Sequence, residues 1–239
     1  MPGQKKPGDI QMKLHTTCAA LAAALLSAVP FAASAQDDID IAFNAAVGTD
    51  YVFRGVSQSL EDPAISGGVD LTYGSFYAGA WASNVDFGDD TDLEVDLYGG
   101  FRTEAGGYAL DFGVVSYLYG NAPGGADYDY VEFKAAASRA IGPVTAGVAF
   151  YVSPDFFGAD DEATYLELNG AYATPAGWTL SGAVGQQWLD VSDDYVTWNL
   201  GAAYALTDNL TLDVRYHDTD IDGLAIAEDR FVATIKAAF

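Results

Sequence analysis

The sequence predicts an all-β fold: a closed, antiparallel transmembrane barrel of about twelve strands with both termini on the periplasmic side. Three observations predict it. Apolar and polar residues alternate with period two from Ile39 to Phe239, which places successive side chains on opposite faces of a pleated strand. The segments that alternate run to about ten residues, the length a tilted strand needs to cross a bilayer, whereas strands of soluble proteins average 5–6. An export signal precedes them.

That signal is the first element. Lys5, Lys6 and Lys13 lead an Ala/Leu-rich run from Cys18 to Val29, and Ala33-Ser34-Ala35 offers a small-x-small cleavage site. Residues 1–35 read as a secretory signal peptide and residues 36–239 as one barrel domain; Met12 is an alternative start. Cleavage after Ala35 leaves a chain without cysteine, so no disulfide holds it. It also moves the formal charge from −24 to −26, since three lysines and one aspartate are lost. Nucleic acid is thereby excluded as a partner, because a phosphate backbone needs a basic footprint. Half the residues are hydrophobic, which argues against disorder despite the charge.

Gly, Pro, Asn and Asp clusters cut the rest into strands at 39–55, 63–73, 76–85, 92–102, 108–119, 128–138, 144–153, 163–174, 178–189, 195–205, 210–218 and 229–239. In the first, Ile41, Phe43, Val47, Tyr51 and Phe53 share a lipid-facing side, opposite Asn44, Gly48, Asp50 and Arg54. In the last, Phe231, Ile235 and Phe239 oppose Arg230, Thr234 and Lys236. Connections alternate between tight turns (74–75, 103–107, 139–143, 175–177, 206–209) and longer acidic loops (56–62, 86–91, 120–127, 154–162, 190–194, 219–228). Short periplasmic turns and long outer loops are the outer-membrane arrangement, and an even strand count returns both termini to the periplasm. Tyr51, Phe53, Tyr73, Phe101, Tyr108, Trp178, Trp188, Tyr204, Tyr216 and Phe239 sit near strand ends, as a girdle at the headgroups requires.

The polar faces carry full charges in mid-strand, which a barrel places in its lumen. The pore-lining candidates are Asp50, Arg54, Glu94, Asp96, Arg102, Asp111, Glu132, Lys134, Glu167, Asp213, Arg215 and Arg230. Asp50 and Arg54 share the inner face of strand 1 with Arg54 near the outer mouth; they serve either as a polar constriction or as part of a rigidifying ion-pair network.

Residues Thr49-Asp50-Tyr51-Val52-Phe53-Arg54-Gly55-Val56-Ser57-Gln58-Ser59-Leu60, continued by Gly74-Ser75-Phe76-Tyr77-Ala78-Gly79 and Trp81-Ala82-Ser83-Asn84-Val85, resemble the TorF family of porins, a proteobacterial family formerly of unknown function. The resemblance is specific over the first three strands and implies an outer-membrane porin-like barrel, with no catalytic residues and no defined substrate. Phe239 is also similar to the aromatic C-terminal residue by which the barrel-assembly machinery recognises its clients.

No nucleophile, base and orienting group assemble around His217, the one histidine beyond the signal segment, so an enzyme is not expected. Asp218, Asp220 and Asp222, then Gly223 and Asp229, match the spacing of a calcium loop at positions 1, 3, 5, 6 and 12, although without flanking helices and with Asp where Glu is usual. The spacing fits either a structural calcium site or a solvated acidic tip. The expectation is a monomer surrounded by outer-membrane lipid and lipopolysaccharide. It would act as a narrow passive pore for small solutes with a cation-attracting outer mouth. The competing expectation is a non-conducting structural or adhesive barrel whose acidic loops bind divalent cations or lipopolysaccharide.

Overall fold

The computed structural model describes residues 39–158 and 161–239; the signal segment and its cleavage site lie outside them. Twelve strands close into one barrel: β1 (Asp40–Gly48), β4 (Ala64–Tyr73), β5 (Phe76–Asn84), β6 (Leu93–Ala105), β7 (Tyr108–Gly120), β8 (Tyr130–Ile141), β9 (Val144–Ser153), β10 (Ala163–Ala173), β11 (Trp178–Leu189), β12 (Tyr195–Ala205), β13 (Leu210–Thr219) and β14 (Arg230–Ala238). Each pairs antiparallel with its chain neighbour, and β14 returns to β1 in the register Asn44↔Ala238 to Gly48↔Thr234. Closure matters because an open edge would leave unpaired N–H and C=O groups in hydrocarbon, where each costs several kcal/mol or about that.

The period-two pattern is realised as two surfaces. Outward are Phe43, Phe133, Leu168, Leu200 and Phe231, all exposed. Inward on β8 are Tyr130, Glu132, Lys134 and Ala136, alternating with the outer residues Phe133 and Ala135. Aromatic pairs mark both rims of the apolar band: Trp198–Tyr216 and Tyr216–Phe231 towards the long loops, Phe76–Phe101 and Trp178–Tyr204 at the tight turns.

The first strand departs from expectation. It ends at Gly48 rather than at residue 55, and a separate two-stranded hairpin follows, β2 (Val52–Phe53) and β3 (Val56–Ser57), inside the first long loop. Tyr51 and Phe53 therefore do not face lipid. Tyr51 stacks edge-on against buried Trp81 at 5.4 Å and Phe53 against buried Tyr117 at 5.9 Å. The physical reason is polar: a strand running on past Gly48 would strand Asp50, Ser57 and Ser59 above the rim, whereas folded inward they satisfy one another. Asp50 is buried and its Oδ1 accepts from the Ser57 hydroxyl at 2.7 Å and the Ser59 hydroxyl at 2.9 Å.

Because a closed sheet offers no edge from which to unzip, the folded chain should resist mild SDS and change its gel mobility only after boiling. Leu168→Arg, at the middle of β10 on the outer face, should destabilise the barrel by about 2–4 kcal/mol in reversible unfolding from lipid vesicles.

Candidate functional site

The site begins with a two-residue turn. Arg54 (φ 47°) and Gly55 (φ 86°) both adopt left-handed backbone between the paired residues Val52–Phe53 and Val56–Ser57, the geometry of a tight hairpin. Such a conformation at Arg costs about 1 kcal/mol or more, so its surroundings must impose it. They do so on both sides of the turn. A Cβ at Gly55 would collide with Thr197 of β12 and Thr219 of β13, so only glycine allows the tip to seat on that wall.

On the other side the Arg54 side chain reaches the β8–β11 wall. Its Nη1 donates to Glu132 Oε1 at 2.8 Å and to Gln187 Oε1 at 2.9 Å, and its Nη2 to Glu132 Oε2 at 2.7 Å. The guanidinium carbon lies 4.2 Å from the Tyr165 ring centre, 4.6 Å from Phe53 and 5.1 Å from Tyr151. Both charges are almost wholly buried, at 6% and 1% side-chain exposure. A bidentate pair with ring faces around it fixes the orientation of a buried guanidinium and offsets its desolvation. Arg54 thus lies near the outer mouth on a hairpin folded inward, and bridges the interior from there to β8 and β11.

The base of the hairpin is held as firmly. Asp50 Oδ2 accepts from Arg230 Nη1 at 3.2 Å, Tyr51 donates its hydroxyl to Glu94 Oε1 at 2.8 Å, and the Gln58 carbonyl accepts from the Asp86 amide at 2.8 Å. The segment that carries the family resemblance, residues 49–60, is therefore the segment that folds into the mouth.

Below the hairpin lies a cavity of about 50 Å³ bounded by Arg54, Tyr165, Glu167, Thr197, Asn199 and His217. Tyr165 can fold across it because β11 presents Gly185, where a Cβ would strike the ring. Further towards the tight turns, Asp111 receives Lys134 at 2.9 Å, Arg102 at 3.3 Å and the Tyr77 hydroxyl at 2.8 Å. Arg215 bonds Asn199, Ser181 and Asp213. The twelve candidate residues all project into the interior, but not as one ring: Asp50, Arg54, Glu94, Asp96, Glu132 and Arg230 gather around the hairpin, and Arg102, Asp111, Lys134, Asp213 and Arg215 lie deeper, with Glu167 between.

Five interior carboxylates accept a tyrosine hydroxyl: Asp70 from Tyr98, Glu94 from Tyr51, Asp111 from Tyr77, Glu132 from Tyr117 and Glu167 from Tyr165. These inward tyrosines were missed as site residues. Parity places Tyr77, Tyr117 and Tyr165 inside but does not say which carboxylate each hydroxyl reaches, and of the five only Tyr51 reads from sequence as girdle.

Three of the calcium-loop carboxylates have donors of their own. Asp218 Oδ1 accepts from the Thr219 amide, Asp220 Oδ1 from the Val196 amide and Asp229 Oδ2 from the Tyr216 hydroxyl. Among the described residues no group of three or more His, Cys, Asp or Glu is placed to hold a metal. Asp218 and Asp220 cap backbone amides at the rim, and Asp229 holds a tyrosine hydroxyl.

A model of a family of bacterial proteins of unknown function matches residues 32–239. The chain belongs to that family, Gcw_chp. Among curated proteins, none matches the sequence. Solved structures do resemble this Gcw_chp barrel. The KdgM porin superposes with a TM-score of 0.60 at 7% identity, over 83% of this chain and 99% of its own. KdgM in complex with disordered oligogalacturonate gives 0.59 at 7% identity, over 83% and 98%. The NanC porin gives 0.54 at 10% identity, over 82% and 97%. At such identities the likeness is one of fold: the Gcw_chp chain has the twelve-stranded barrel of outer-membrane porins.

Trypsin reads the seating of the hairpin directly, since it cleaves after exposed arginine. Folded wild-type protein should be protected at Arg54, and Gly55→Ala should be cut there at least ten-fold faster while the barrel persists, because the added methyl lifts the tip from Thr197 and Thr219.

Proposed function

We propose that this protein is an outer-membrane channel, a narrow passive pore for small solutes, whose outer mouth is restricted by the loop-1 hairpin. The observation that carries the reading is the lining. A closed porin-type barrel presents charged and hydrogen-bonding side chains to its interior from every level, including residues that a purely structural core would fill with apolar groups. The resemblance of residues 49–60 to the TorF porins supports it. Twelve strands enclose a width between the packed eight-stranded barrel and the wide sixteen-stranded channel, so passage suits small solutes.

The preference is for cations. Among the described residues the interior carboxylates Asp70 and Glu167 have no Lys or Arg within ion-pair distance. The outer loops add further carboxylates, among them Asp62, Asp86, Asp89 and Asp129. Such a field concentrates cations at the entrance and weakens as added salt shortens the Debye length to about 3 Å at 1 M.

A second reading has its own support: the buried Arg54–Glu132 pair and the small cavity beneath it favour a mouth that is sealed, and hence a structural barrel. Planar-bilayer recording separates the two. Wild-type protein should give small conductance steps with reversal potentials favouring potassium over chloride at low salt, and deletion of residues 51–58 should enlarge the steps several-fold. Silence from the folded deletion variant would leave the structural reading.

A further inference from the structure

The contacts of Arg54 have the form of ligand recognition rather than of wall reinforcement. The guanidinium is brought in on a loop, not supplied by the barrel. What the barrel supplies is a preformed receptor: the Glu132 carboxylate aligned for two parallel hydrogen bonds, Gln187 Oε1 for a third, and the rings of Tyr151 and Tyr165 as walls. Each receptor group is itself held from behind. The Tyr117 hydroxyl donates to Glu132 Oε2 at 3.1 Å, and Gln187 Nε2 donates to the Thr164 carbonyl at 3.3 Å, which turns its oxygen towards the guanidinium. Glu132 and Gln187 are each 1% exposed.

Immediately beneath, the cavity gives such a receptor room for the rest of a bound molecule. Its wall includes His217, 7% exposed, and Glu167, which no Lys or Arg of the described residues pairs. Fixed carboxylate geometry, a third acceptor and two ring faces select a flat, forked cation over a spherical one.

We infer that the cage around Arg54 is a binding site for the guanidinium group of a small solute, which Arg54 itself occupies while the hairpin is seated. A solute carrying that group takes over the Glu132 and Gln187 contacts once the tip lifts, with its carbon chain in the cavity below. Arg54 then acts as a tethered stand-in for the substrate. The permeation half of this inference rests on the channel reading, whereas the binding half does not.

Chemical rescue tests it. Arg54→Ala empties the cage; Gly55→Ala, which unseats the tip with Arg54 intact, replaces it if the first variant does not fold. In bilayers with a KCl background, 5 mM guanidinium chloride should reduce the Arg54→Ala conductance at least five-fold, while 5 mM ammonium chloride leaves it unchanged. Wild-type protein, its cage filled, should not respond, and adding Glu132→Gln to Arg54→Ala should abolish the block. Equal block by ammonium, or block that survives Glu132→Gln, overturns the inference. Binding is read separately from conduction: 5 mM guanidinium chloride should raise the unfolding temperature of detergent-solubilised Arg54→Ala by several degrees relative to sodium chloride. If every variant is electrically silent yet this shift appears, the channel reading fails and the site stands; if the shift is absent, the site fails whatever the conductance.

Discussion

Backbone pairing in hydrocarbon is the constraint from which the rest follows. A strand in lipid must give every N–H and C=O a partner, and only a sheet closed on itself does so without an edge. Closure divides each strand into an outer and an inner face at every second residue. The outer face has one requirement, to be apolar with aromatic rims. The inner face is free to be polar, and in this chain it is crowded with acids, bases and tyrosines. Every chemical question about the molecule is therefore a question about how that interior is satisfied.

The interior answers with two devices. Tyrosine hydroxyls donate to carboxylates at five places, so an acid can be held in position without a cation beside it. That leaves Asp70 and Glu167 oriented yet uncompensated. Where cations are used they are either multiply bonded, as Arg215 is by Asn199, Ser181 and Asp213, or share one acid, as Arg102 and Lys134 share Asp111. Arg54 combines both devices, lying between tyrosine rings and a carboxylate that a tyrosine also holds. Its positive φ is tolerated because so many contacts fix both ends of the hairpin.

Most of this was legible in the sequence, since alternation reports which side a residue faces. The expected segments 144–153, 178–189 and 195–205 coincide with β9, β11 and β12. What alternation cannot report is whether a strand continues or turns back. Tyr51, Val52 and Phe53 keep the rhythm of β1, because a hairpin is also made of strands. Two signals mark the break all the same. A first strand of 39–55 is longer than a bilayer needs, and Arg54-Gly55 lies between Val52-Phe53 and Val56 as a two-residue turn does between strand residues. The acidic spacing of 218–229 is ambiguous in sequence for a related reason: positions 1, 3, 5 and 12 of a calcium loop are also positions from which carboxylates accept from rim amides and a tyrosine hydroxyl. The β13–β14 ladder runs up to His217↔Arg230, which sets Asp218 and Asp229 at neighbouring positions of the rim, each already holding a donor of its own.

The pairing of β1 with β14 has a kinetic meaning. Every other neighbouring pair in the barrel is also adjacent in the chain, so it can form as a local hairpin or across a single loop. The seam instead joins residues nearly two hundred positions apart, with Phe43 and Phe239 exchanging backbone hydrogen bonds of 3.0 and 2.9 Å. Loop-closure entropy grows with the length enclosed, and contacts of high sequence separation set folding rates. The seam is accordingly the last ladder to form, and until then β1 and β14 are two bare edges. A chain that lost its final residue would forfeit both Phe43 bonds at the point where the ring must shut.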